Sequence, residues 1–186
     1  MHFNITDYIK ALSSSLSQLS RLRRIAFCLW CTETACRLVT NRLGGKFGEP
    51  AQQKLQATLD ELWNWIAAGG RAAHPRLDRI AAELEDIAQR ESDSGQDDPA
   101  FFASELAQGL RLCDDVCEHG RPKDAAMSAV LVINCLDYEL GGTYIQNYSA
   151  EGYTDERFEN ELERQKKMLE HLSSTTEISA GCRTLF

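Results

Sequence analysis

Seven cysteines are the first residues of this chain whose chemistry could build a site: Cys28, Cys31, Cys36, Cys113, Cys117, Cys135 and Cys182. The spacings Cys28-x2-Cys31 and Cys113-x3-Cys117 put two thiols on one face of a helix. The two pairs could meet as a zinc or redox site. Structural zinc sites, however, close four ligands, usually with turns between them. Here the thiols fall mid-helix among Leu, Phe and Trp, so buried thiols acting as small hydrophobes are expected. An odd number inside apolar patterns also suits a reducing compartment better than a disulfide framework. The histidines, His2, His74, His119 and His171, add no ligand set. Neither His-x3-His nor Glu-x2-His occurs, and the helical di-metal pattern needs one of them. No metal and no cofactor is expected.

The carboxylates are more numerous. They cluster as Asp114-Asp115 with Glu118, as Asp137 with Glu139, and as Glu151, Asp155, Glu156, Glu159, Glu161 and Glu163. Carboxylates four apart can hold a cation or do acid–base work. With no matched histidine and no Gly-rich phosphate loop beside them, they read as solvated or partner-facing surface. Asp137 falls in the most apolar stretch and should have a hydrogen-bond or arginine partner. Among the aromatics, Trp63 is expected in the core. Trp30, Trp65, Tyr144, Tyr148 and Tyr153 are expected to be less covered, either as interface anchors beside the carboxylates or packed under a long loop.

Net charge is −8. Residues 1–48 carry seven Lys/Arg against two Asp/Glu, so the rest of the chain is strongly acidic. That remainder repels phosphate and steers a basic partner inward. No nucleic-acid partner is expected. No apolar run is long enough to span a bilayer, and MHFNITDYIK lacks the basic-then-apolar order of a secretory signal. A cytoplasmic protein with no membrane partner is expected.

The elements that must position these groups are helical throughout. The stretch Ala125–Leu140, AAMSAVLVINCLDYEL, is apolar on every side of a helical wheel, the mark of a buried helix. Around it the pattern predicts amphipathic helices. A short one is capped by Asn4 or Thr6 and weakened by SSSLSQLS. A long one runs from about Ser20 to Arg42. Others open at Pro50, at Pro75, at Asp98-Pro99 and at Pro122. Glu91–Pro99 reads as the clearest loop, and residues 143–157 as a long ordered loop or lid. A last helix runs from Thr154 to Leu172 with Phe158, Leu162, Met168, Leu169 and Leu172 inward. In the tail, Ile178 and Phe186 either dock or hang loose. No strand-like alternation competes. The expected fold is one all-α domain, residues 1–186, a bundle of about seven helices around the central apolar one.

Two resemblances follow. Arg164, six residues, then His171 on a late helix resembles the motif of HEPN ribonucleases, whose Arg and His meet across a dimer cleft to cleave RNA. The usual polar residue after the Arg is Gln165 here. The helical texture of LSRLRRIAFCLWCTETACRLVTNRLGGKFGEP, LQATLDELWNWIAAG, FFASELAQGLRLCDDVCEH, AMSAVLVINCLDYEL and ENELERQKKMLEHL resembles the YjaG-like all-α bacterial family, which carries no assigned activity. Related all-α proteins serve as immunity proteins beside polymorphic toxins and type VI secretion effectors. The resemblance implies a non-enzymatic inhibitor that occludes a toxin's basic active-site cleft. The expected contact surface is Asp114, Asp115 and Glu118 with Tyr144, Tyr148, Tyr153, Asp155, Glu156 and Glu159. A YjaG-like housekeeping role as a homodimer, and a ribonuclease using Arg164 and His171, are the alternatives.

Overall fold

The computed structural model describes residues 4–43, 45–140 and 156–185, apart from the side chain of residue 180. Among these residues there are seven α-helices and no strand. They are α1 (Ile5–Ser17), α2 (Arg21–Val39), α3 (Glu49–Ala67), α4 (Asp78–Asp93), α5 (Asp97–His119), α6 (Pro122–Glu139) and α7 (Glu156–Ser174). Two 3-10 turns, Thr40–Leu43 and Ala180–Thr184, complete them. No described helix is long and apolar enough to cross a membrane.

The apolar stretch behaves as its composition requires. From Ala125 to Leu136, α6 buries residues on nearly every side, and Asp137 onward is half-buried. Beside it lies α2, which is buried without interruption from Ile25 to Cys36. It packs against α3, α5, α6 and α7, so no face is left to solvent over that length. The polar residues Thr32, Glu33 and Thr34 disguise this in the sequence. The Thr32 and Thr34 hydroxyls donate to the Cys28 and Trp30 carbonyls one turn back, at 2.9 and 3.0 Å, which removes the cost of burying them. Trp30, expected near the surface, is fully buried, and Trp65 is nearly so.

Three boundaries differ from the sequence reading. The SSSLSQLS run does not end α1 at its first serine: the helix continues to Ser17, with Leu12 and Leu16 buried while most of its serines face solvent. Pro75 lies outside α4, which begins at Asp78. The stretch 91–99 is mostly helix: α4 continues to Asp93 and α5 starts at Asp97.

The basic N-terminal arginines serve as clamps on helix ends. Arg21 donates to the Cys117 carbonyl in the last turn of α5, and Arg23 to the Thr175 carbonyl just past α7. Cations there satisfy carbonyls that have no intrahelical donor. Gly120 closes α5 at φ 64° with its N–H on the Val116 carbonyl, and a Cβ there would meet Arg21 Cγ at 2.9 Å. Glycine is therefore required both by the left-handed backbone and by the arginine lying across it.

Candidate partner-binding surface

The last helix is built in an unexpected way. Its buried stripe is Phe158, Glu161, Gln165, Met168 and Leu172, at the three- and four-residue spacing of one face. Glu161 and Gln165 replace Leu162 in the inward set, and Leu162 and Leu169 are half-buried at the flank. The spacing itself was the available signal, since both polar residues fall on the stripe that Phe158, Met168 and Leu172 define.

A fully paired polar network explains how the two are tolerated. The Gln165 amide donates to the Ala129 carbonyl of α6 at 3.2 Å and to Glu161 Oε1 at 2.9 Å. Its carbonyl oxygen accepts from the Tyr8 hydroxyl of α1. Arg164 Nη1 donates to Glu161 Oε2 at 2.6 Å, and its guanidinium lies 5.3 Å from the centre of the Trp30 ring. Burial pushes the Glu161 carboxyl up from its ordinary range, and Gln165 and Arg164 pull it part of the way back. The Tyr8 phenol is pushed up as well, chiefly by burial. The network therefore ties α1, α2, α6 and α7 into one rigid unit.

On the outer side of that unit, α1 and α7 leave a groove of about 590 Å³. Tyr8, Leu12, Leu162 and Leu169 give it an apolar base, and Glu159, Asn160, Glu163 and Lys166 form the α7 edge. Glu156 and Glu159 are exposed on α7. Glu163 lies 3.8 Å from Lys166 and 3.9 Å from Lys167.

The other expected surface residues divide sharply. Tyr144, Tyr148, Tyr153 and Asp155 lie outside the described residues. Asp115 and Glu118 are exposed, and Glu118 pairs with Arg76. Asp114 is not a surface residue. It is 5% exposed, and its carboxylate accepts the Leu77 N–H at the start of α4 at 3.1 and 3.2 Å. His74 and Arg76 lie 3.8 Å from it. Burial raises its carboxyl, against the Leu77 hydrogen bond and the neighbouring Arg76 and His74. Asp114 thus caps α4 across the bundle. Asp114→Ala should destabilise the protein by about 2 kcal/mol, because the Leu77 N–H is left buried and unpaired. Asp114→Asn, which keeps an acceptor, should cost less. Urea unfolding of the two variants separates capping from charge, and equal losses would refute the cap.

No protein family, characterised protein or solved structure matches this chain. The chemistry therefore rests on the side chains. All seven cysteines are buried. The neighbouring thiols of Cys117 and Cys28, together with burial, hold the Cys113 thiol well above its ordinary pKa. A thiol held that high favours its protonated form, which is a poor nucleophile. Among the described residues no group of three or more His, Cys, Asp and Glu is arranged to hold a metal ion. Arg164 and His171 have separate partners. The arginine is engaged by Glu161 and Trp30, and His171 Nε2 lies 3.6 Å from Cys182 Sγ.

Proposed function

We propose that this chain is a non-enzymatic binding protein, an immunity protein that blocks a cognate antibacterial toxin from the cytoplasmic side. The observation that carries this reading is the α1–α7 groove, whose apolar base and acidic α7 edge stand on a rigid polar network. Apolar anchors inside a charged rim are what a protein interface requires. The fitting occupant is a basic segment of the toxin, steered by the acidic remainder of the chain. Occlusion follows if that segment borders the toxin's active-site cleft.

The test is charge reversal at two exposed carboxylates of α7, Glu159 on the groove's edge and Glu156 one turn before it. Glu156→Lys with Glu159→Lys should weaken partner binding about tenfold to a hundredfold, chiefly through the association rate, and should reduce the salt dependence of that rate. Leu162→Ala should instead speed dissociation. Surface plasmon resonance resolves both, and unchanged rates in both variants would place the interface elsewhere.

A further inference from the structure

A second cavity shares no lining residue with the α1–α7 groove. It measures about 270 Å³ and is lined by Glu33, Cys36, Arg37, Gln56, Leu59 and Arg183. Glu33 is 4% exposed in the middle of α2. A carboxylate so deeply buried needs a cation, and its cation comes from far along the sequence. Arg183, on the 3-10 turn Ala180–Thr184, places Nη2 2.6 Å from Glu33 Oε1 and donates Nη1 to Asp60 of α3.

That arrangement is incomplete. The guanidinium divides its two ends between two carboxylates, where the strongest geometry is a parallel fork on one. Although Arg183 is close to Glu33, neither Glu33 oxygen receives an aligned hydrogen bond. The Trp63 indole N–H approaches the same carboxylate without meeting it in line. Burial accordingly holds the Glu33 carboxyl above its ordinary range despite the arginine. The cavity also continues past Cys36, Gln56 and Leu59 into a depression of about 370 Å³ that Thr40, Phe47 and Gln53 help to line. The amide side chains of Gln53 and Gln56 on its wall can meet the backbone of residues flanking an arginine. The turn that carries Arg183 is five residues of 3-10 helix, a geometry that is weak on its own.

We propose that Glu33 and Asp60 form a receptor for an arginine side chain, filled here by the chain's own Arg183 and open to an arginine of a partner peptide when the turn lifts. The internal arginine lowers the apparent affinity for the external one by the fraction of time the site is closed.

The experiment is chemical rescue, using N-acetyl-arginine methylamide as the probe on full-length protein. Arg183→Ala should melt several degrees below wild type. At about ten times its dissociation constant, the probe should raise the melting temperature of that variant by about 3 °C. Wild type should respond at least tenfold more weakly. The citrulline analogue, equal in shape but uncharged, should do nothing, and Glu33→Gln/Arg183→Ala should not respond to either compound. A second readout needs no variant: on titration of wild type, the indole N–H resonances of Trp30 and Trp63 should shift together. Trp30 donates to the Leu185 carbonyl and so reports lifting of the turn. No rescue of Arg183→Ala, equal rescue by citrulline, or equal rescue of the double variant would each overturn the receptor. Because Glu156 and Glu159 play no part in it, their reversal should leave the rescue unchanged, which separates this proposal from the α1–α7 interface.

Discussion

Trp30→Ala is expected to lower the unfolding free energy by about 3–5 kcal/mol, the usual range for emptying a buried aromatic site. Three separate losses combine there. The ring is fully buried in α2 at the centre of the bundle. Its indole N–H holds the Leu185 carbonyl at 3.2 Å, so the turn carrying Arg183 loses an anchor. Its face supports the Arg164 guanidinium, which in turn pairs with the buried Glu161. Trp30→Phe keeps most of the volume and loses the hydrogen bond, so it should cost about 1 kcal/mol beyond the small cavity. Urea denaturation with unchanged m-values gives both numbers. A Trp30→Ala loss under about 1 kcal/mol would mean that the centre of the bundle is not where α2 places it.

Gln165→Leu should cost about 2–4 kcal/mol, although it replaces a polar residue by an apolar one in a fully buried position. Hydrophobicity alone forecasts the opposite sign. Leucine cannot accept from the Tyr8 hydroxyl or donate to Glu161 and the Ala129 carbonyl. The buried Glu161 carboxylate then keeps Arg164 and the charge of Arg37 but loses an amide donor, and the Tyr8 hydroxyl loses Gln165 as acceptor. Tyr8→Phe combined with Gln165→Leu should recover part of the loss, since the hydroxyl that donated to Gln165 is gone. A double-mutant cycle with no coupling between the two positions would refute the network.

Much of the fold was legible because helix punctuation is local. Asn4 caps α1 through its side chain, accepting from Thr6 and Asp7 at 2.9 and 3.1 Å. Pro50 and Pro122 sit in the first turns of α3 and α6. Pro75 misled because proline tolerates an extended connection as readily as a first turn, and here Asp114, distant in sequence, sets where α4 begins. Burial of polar groups was not legible from one helix at a time. Glu33, Asp114 and Glu161 look like ordinary surface acids until their partners Arg183, Leu77 and Gln165 are brought beside them. The tail around Arg183 carries no apolar period, so its docking onto α2 and α3 depends on a pairing across the chain. Ile178 and Leu185 pack against the core, whereas Phe186 lies outside the described residues.

The central claim is that α1 and α7 hold a basic protein partner. The most direct measurement is a paired capture from the native host: tagged wild-type protein and Glu156→Lys/Glu159→Lys, each retained material identified by mass spectrometry. The account predicts one stoichiometric partner with a toxin-like domain bearing a basic cleft, retained by wild type and lost by the variant as charge on α7 is reversed. Equal recovery of the partner on both proteins, or recovery of wild type alone from cells shown to express the neighbouring genes, would contradict it.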